Sequence, residues 1–506
     1  MSASLTESER PAPNVHRLIG AGVLSRFVGT ALGVVLGVAA TSVAIRMLGE
    51  AEYGTLAFAA STGALLFGLA RLGLEPAFAR AVTSARAAGG ADVEGLARGA
   101  SALMLSGGAF AIVSVVAVVV AVPHGTTLST RLAIAASLAF FSFAANVAAI
   151  AGALARGLGR MPLMEIPNAV LSLARLAALV AIAVAGVGTL PWVAAGYAVA
   201  GAATVAASAL LARGLLGRRF SALLPSRAEG ALLLQTAVPY TVIGVSSIVL
   251  SRFDVLVLGL THSSVDVASY EPVLKLVEQA MQWAPLLFIG PYLPAATQLF
   301  ARGDRDGFRE LYAGSSKLVF IAAMPAVAIL AVAPTQTVHV LYGAGYHVRP
   351  VLVWVLLVGF TANLVLGLNL NALAAMGIRR ILVRLGLLEL CAMVGFACVL
   401  VPLFGALGAA IATSATYSLA NVVTSLALYR TSGVPAFDRA MILTVGTAAL
   451  PVAAFVVVRH ALGALPFIAV LAEAGALWLA WVVLLGALRA LSASEITRLV
   501  PRRVVQ

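Results

Sequence analysis

A small set of ionisable side chains lies inside the apolar stretches of this 506-residue chain, and any chemistry it performs must run through them: Arg26, Arg71, Arg175, Arg252, Asp254, Glu271, Lys275, Glu278, Glu389 and Glu473. A charge held at bilayer depth costs at least about 2.5 kcal/mol and is kept where a polar cavity or a partner receives it. Glu271, Lys275, Glu278 and Gln282 are spaced by four, three and four residues, which places them on one face of a helix. That face is expected to line an aqueous lumen. Arg26 and Arg252, with Lys275 and Gln282, are its expected ligands for an anionic cargo, because the planar guanidinium fork makes paired, charge-assisted bonds to phosphate or pyrophosphate.

Blander readings stand beside these. Glu271 and Lys275 form an ordinary i, i+4 pair, and Arg71 and Arg175 lie near enough to the cytoplasmic surface to snorkel. Arg252 and Asp254 are two apart and point to different faces. Among the carboxylates, Glu278 is the favoured coupling group, pairing with Lys275 when the lumen is empty; Asp254 and Glu271 are the other candidates, and a static ion pair is the alternative. Pro285, Gly290, Pro291 and Pro294 follow on the same run and are expected to kink or hinge it. Pro325 and Pro334 do likewise in the next. Glu389 and Glu473 are given no role. Six scattered histidines suggest no metal site, no G-x-x-x-x-G-K-[ST] loop is present, and no cofactor is expected. Cys391 and Cys398 read as two small core residues of one helix.

The elements that carry these residues follow from composition. With 61% hydrophobic and 10% charged residues and a mean hydropathy of +1.03, the chain reads as an all-α polytopic membrane protein. About 20 apolar residues cross a bilayer as a helix. Fourteen such runs are predicted, near 18–44, 54–79, 101–122, 132–154, 167–187, 190–212, 231–260, 268–299, 316–341, 350–376, 382–403, 406–428, 440–459 and 464–488. With that count, 24 of the 33 basic residues fall on the side of both termini and only Arg46, Arg131, Arg349 and Arg459 on the other. The bias never flips along the chain, so the positive-inside rule makes both termini cytoplasmic. The net charge of +13 then faces anionic lipid, not nucleic acid. The expected organisation is a cytoplasmic segment 1–17, six-helix bundles at 18–215 and 231–429, a linker at 216–230, an accessory helix pair within 440–490 and a cytoplasmic tail at 491–506.

Arg46 to Gly54, reading R-M-L-G-E-A-E-Y-G, punctuates the turn between the first two runs. A second copy is expected where Leu258-Gly259 closes the seventh run and Tyr270 opens the eighth, although Gly and Tyr are eleven residues apart there against four in the first. A two-fold repeat of this kind builds a central cavity in transporters. These turns, with Leu72-Gly73-Leu74, Asp254 to Gly259, Tyr270, Pro291 or Pro294, Gly303-Asp304, Pro325, L-Y-G-A-G-Y at 341–346 and P-L-F-G-A-L-G-A-A-I-A-T at 402–413, resemble the bacterial Wzx-type polysaccharide flippases of the multidrug/oligosaccharidyl-lipid/polysaccharide exporter superfamily. The resemblance covers roughly 17–430.

It implies a transporter of the bacterial inner membrane that moves an undecaprenyl-pyrophosphate-linked oligosaccharide across the lipid bilayer by alternating access without ATP hydrolysis. The product would serve surface polysaccharide synthesis beside a polymerase and a chain-length regulator. Alternatives are a lipid II flippase, faintly suggested by A-G-V-L-S-R-F-V-G at 21–29, and a multidrug antiporter, which a basic lumen disfavours. A membrane polymerase or glycosyltransferase is a third, and the short outside loops speak against it.

Overall fold

The computed structural model describes residues 15–70, 73–87, 112–113, 115–116, 119, 127–217, 227–347, 349–366, 368–435, 437–462, 466–488 and 490–491. All regular structure among them is helical: α1 (Val15–Ala70), α2 (Leu74–Ala87), α3 (Leu128–Gly157), α4 (Ile166–Val184), α5 (Leu190–Leu216), α6 (Arg227–Thr261), α7 (Ser264–Ala301), α8 (Arg305–Val332), α9 (Pro334–Tyr342), α10 (Pro350–Leu366), α11 (Leu368–Ala375), α12 (Arg379–Ser432), α13 (Arg439–Thr447), α14 (Ala449–Leu462) and α15 (Phe467–Ala487). In hydrocarbon every backbone polar group must be bonded within its own segment, which leaves the helix as the form these apolar runs can take. The protein is an all-α, polytopic membrane protein.

Ten stretches of the described residues are long and apolar enough to cross a membrane. Two of them, Ala31–Leu69 and Arg380–Ser432, each hold two predicted runs. Each is broken by a kink at a single glycine, Gly49 (φ 71°) in α1 and Gly405 (φ 58°) in α12, a positive-φ backbone that glycine adopts without strain. The eighth predicted run is α7, 38 residues long, and the third, 101–122, lies outside the described residues apart from five positions.

Starts are set by capping. Thr127, Ser263, Asp304 and Asp438 accept the backbone N–H three residues on at 3.3, 3.2, 2.8 and 2.6 Å, satisfying donors the first turn leaves open. Pro334 does not bend the ninth run from within. The chain breaks at Ala333 (φ −126°, ψ 47°) and Pro334 starts the separate short helix α9, where its missing N–H costs nothing. Pro325 does lie inside α8.

Packing joins α1 with α4, α2 with α3, and α5 with α3 and α4 on the N-terminal side. On the C-terminal side it joins α6 with α12, α7 with α8, and α10 with α8 and α12. The two groups meet where α1 crosses α6 and α7 and where α2 crosses α6. The pair α14 and α15 packs on α8, fastened by Trp478 Nε1, which donates to the Ile321 carbonyl at 2.8 Å, and by Lys317 Nζ, which donates to that of Ala490 at 2.6 Å. Cys391 and Cys398 are exposed on α12, not core residues.

The second turn differs from its expected form. Gly259 is helical within α6, which ends at Thr261, and Tyr270 is six residues into α7. His262 and Ser263 make the turn instead. Gly259 has another use: a Cβ there would overlap the ring of Phe58, so the glycine lets α1 and α6 approach closely.

Candidate functional site

The ionisable residues of α6 and α7 divide into two carboxylate-centred clusters. In the first, Asp254 is fully buried. Its Oδ2 accepts from the Tyr270 hydroxyl and from Thr413 Oγ1 at 2.8 Å, and its Oδ1 from the Val255 N–H at 2.8 Å. Tyr270 and Thr413 hydroxyls also meet each other at 3.0 Å. Three donors from α6, α7 and α12 therefore satisfy one carboxylate, and all belong to the C-terminal group. Buried polar groups satisfied in this way fix helices relative to one another.

The second cluster spans the seam. Glu271, also fully buried, accepts a hydrogen bond at 2.8 Å on Oε2 from Tyr53 of α1 and forms an ion pair through Oε1 with Lys275. The lysine side chain is 25% exposed and that of Glu271 0%, so the pair runs from an enclosed carboxylate to a partly exposed ammonium. Lys275 also feels the charges of Arg252 and Arg175. Arg252, on α6, has a buried Nη1 with no hydrogen-bond partner among the described residues.

Arg175, on α4, reaches inward. Its Nη2 donates to the Gly37 carbonyl at 3.4 Å, its guanidinium carbon lies 5.7 Å from the Tyr197 ring centre, and its Nε is buried without a partner. It does not snorkel. No described carboxylate is paired with either arginine, and an unpaired cation out of water is costly unless an anion comes to it. Gln279, one turn beyond Lys275, faces the same place: a Cβ on Gly37 would stand 3.5 Å from Arg175 Nη2 and 3.9 Å from Gln279 Nε2.

The expected single polar stripe on α7 is therefore two. Glu271, Lys275 and Gln279 face α1 and α4. Glu278 turns away, accepts from Gln282 Nε2 at 2.9 Å, and lies with Glu389, Asp254 and Arg252 in electrostatic reach of Tyr417. The expected Lys275 to Glu278 pair is not formed. Lys275 is bound to Glu271, for which i, i+4 spacing in the Glu-to-Lys order is the better geometry. Arg26 is in α1, its side chain outside the described set, and Arg71 is outside the described residues. Pro285, Gly290, Pro291 and Pro294 fall within the helical span of α7; the last three are likewise outside the described side chains, and Pro285 is half-buried.

Beyond Tyr53 the seam is closed by a latch. Arg46 Nη2 donates to the carbonyls of Val340 and Leu341 at 2.9 and 3.2 Å, where α9 ends and its last carbonyls are open to capping. Glu50 accepts from the backbone N–H of His347 and lies 3.1 Å from its Nδ1. Arg349 approaches Asp266 at 3.9 Å. Tyr342 and Tyr346 donate to the carbonyls of Pro272 and Ala268, holding the loop after α9 on α7. Gly54 sits against Ser264, whose carbonyl oxygen a Cβ would overlap. The two sequence motifs, R-M-L-G-E-A-E-Y-G and L-Y-G-A-G-Y, thus meet face to face.

The accessory pair touches the same short helix. Arg459 Nη2 donates to Gln336 Oε1 of α9 at 2.8 Å. Both carboxylate oxygens of Glu473 are buried without a hydrogen bond among the described residues.

The profile of the family described as "Polysaccharide biosynthesis protein" matches residues 19–287, more than half of the chain and the part that contains Tyr53, Arg175, Asp254, Glu271 and Lys275. No curated protein matches by sequence. Among solved structures, the lipid II flippase MurJ in an inward closed conformation is similar at a TM-score of 0.64 and 12% identity, over 92% of this chain and 98% of that one. A MOP superfamily transporter from Pyrococcus furiosus is similar at a TM-score of 0.57 and 16% identity, over 84% and 99%. An inward-facing multidrug resistance MATE transporter is similar at 0.55 and 16%, over 80% and 94%. At such identities these likenesses establish the fold.

Proposed function

The chain belongs to the polysaccharide biosynthesis protein family, and from that premise we propose that it is a flippase carrying an undecaprenyl-pyrophosphate-linked oligosaccharide from the cytoplasmic to the periplasmic leaflet of the inner membrane. The observation that carries this reading is the pair of arginines on opposite sides of the seam, Arg175 of α4 and Arg252 of α6, each with a buried guanidinium nitrogen that has no partner among the described residues and each acting electrostatically on Lys275. A diphosphate bridging them would be held by both helix groups at once. Arg26 completes the proposed lumen and the lipid tail stays in the bilayer, whereas Gln282, expected among the ligands, is bonded to Glu278 on the other stripe.

In this account the bundles at 18–215 and 231–429 rock about the seam, both termini are cytoplasmic, and the latch between Arg46, Glu50, Tyr53 and the 340–349 segment is the periplasmic exit. The similarity of fold to transporters supports movement of a substrate over covalent chemistry. Reconstitution tests the reading: proteoliposomes should move undecaprenyl-pyrophosphate-linked oligosaccharide between leaflets, and the variant Arg175→Ala/Arg252→Ala should lose that movement. Equal movement by the variant, or movement of lipid II in its place, overturns it.

A further inference from the structure

Glu271 is the one described carboxylate that touches both the latch and the cations of the lumen. Tyr53 holds it from the N-terminal group at 2.8 Å. Lys275 holds it through the ion pair, and the like charges of Arg175 and Arg252 act on Lys275, which leaves Glu271 as its counter-ion. The side chain of Glu271 is 0% exposed, so it has no water to fall back on if Lys275 leaves.

Resting on the flippase reading above, we propose that Tyr53, Glu271 and Lys275 form a load sensor that opens the latch when an anion enters the lumen. An arriving diphosphate competes for Lys275. As the ammonium turns to the phosphate oxygens, Glu271 loses its counter-ion, with the Tyr53 hydroxyl as its remaining donor. An unpaired carboxylate in a dry seam is unfavourable, and parting α1 from α7 relieves this by letting outside water reach it. The latch around it is made of hydrogen bonds at exposed or half-exposed groups, which water replaces at little cost. An empty carrier keeps the ion pair and stays shut. Glu271 and Tyr53 are in this sense positioning residues that act through Lys275, and the anion binds to the cations, not to them.

The scheme predicts opposite effects for the two ends of one ion pair. Ala268 is fully buried, and its backbone N lies 3.2 Å from where a Cβ on Gly54 would stand, so a cysteine at Ala268 reports parting of α1 and α7. In a Cys391→Ala/Cys398→Ala/Ala268→Cys background, full-length protein in nanodiscs is labelled with a membrane-impermeant maleimide, with and without undecaprenyl pyrophosphate. Binding of that lipid is measured separately by calorimetry. The parent should label slowly and accelerate about tenfold with undecaprenyl pyrophosphate, a shift of the kind a ligand with unequal affinity for two states produces.

Glu271→Gln should bind the lipid yet label slowly with or without it, because a neutral amide does not suffer when Lys275 leaves. Lys275→Gln should label fast without lipid. The double variant Glu271→Gln/Lys275→Gln should return to slow labelling, which also covers the case in which Lys275→Gln alone fails to fold. A merely structural ion pair predicts that both single variants loosen the seam, and that result, or a normal lipid response in Glu271→Gln, overturns the proposal. If the parent neither binds undecaprenyl pyrophosphate nor responds to it, the flippase reading falls and the sensor with it.

Discussion

Two tyrosines of this molecule each donate to a fully buried carboxylate, and they do so with opposite reach. Tyr270 bonds Asp254 on the neighbouring helix of its own group, where Thr413 and the Val255 N–H complete the set. Tyr53 crosses 218 residues of sequence to Glu271, whose other partner is the partly exposed Lys275 at the edge of the proposed lumen. The first carboxylate is surrounded by neutral donors that move with it. The second is divided between two bodies and a charge that has somewhere else to go. A carboxylate of the first kind fixes a bundle; one of the second kind can change partners as the bundles move.

The largest effect is expected where the first cluster is broken. Asp254→Ala strands the Tyr270 and Thr413 hydroxyls in a dry interior, a loss of about 3 kcal/mol, and should abolish the monodisperse peak of detergent-extracted protein in size-exclusion chromatography. Asp254→Asn, which keeps an acceptor, should fold with a lowered Tm and still transport. Transport lost from a well-folded Asp254→Asn would show that Asp254 does more than fix its bundle and would remove the contrast with Glu271.

Gly54→Ala comes next. Its Cβ would overlap the Ser264 carbonyl, and overpacking of this kind costs about 1–3 kcal/mol. Because it acts on the seam and not within a bundle, it should raise maleimide labelling at Ala268→Cys more than it lowers the Tm. A falling Tm with unchanged labelling would place Gly54 in the bundle core.

Tyr53→Phe should cost less than Tyr270→Phe, about 1 kcal/mol against about 2, since Glu271 retains its lysine whereas Asp254 loses a donor no charge replaces. Thermal unfolding of the two variants side by side measures this, and the reverse order would sink the contrast between the clusters. His347→Ala is expected to do least. Its side chain is 87% exposed, Glu50 still accepts the backbone N–H, and an exposed pair contributes little, so the Tm should not move.

Much of the fold was legible in the sequence because hydropathy acts over whole segments. The long runs, the break at Gly49 and the crowding of polar groups on the seventh and eighth runs all came from one-dimensional pattern. What a pattern of spacing cannot supply is the partner across the seam. Glu271 at i−4 and Glu278 at i+3 were both open to Lys275, and the choice depended on Tyr53 from another helix drawing Glu271 into the dry interior. Arg175 read as a snorkelling residue because its depth along the helix is all that sequence gives, whereas the Gly37 carbonyl and the Tyr197 ring decide where it points. Gly259 matched the first turn by letter, yet the glycine there makes room for Phe58 while His262 and Ser263 turn the chain. Glu50 and His347 carried no periodic signal at all, although both stand in or beside motifs that had been singled out.

The claim on which the rest depends is that the seam at Tyr53 must part for cargo to cross, and a reversible lock tests it most directly. In a background free of Cys391 and Cys398, Glu50→Cys/His347→Cys places two thiols where the carboxylate and imidazole now meet. Once oxidised to the disulfide, the reconstituted protein should stop moving undecaprenyl-pyrophosphate-linked oligosaccharide, and reduction should restore it, while each single cysteine variant transports throughout. Undiminished transport by the fully cross-linked protein would contradict the account.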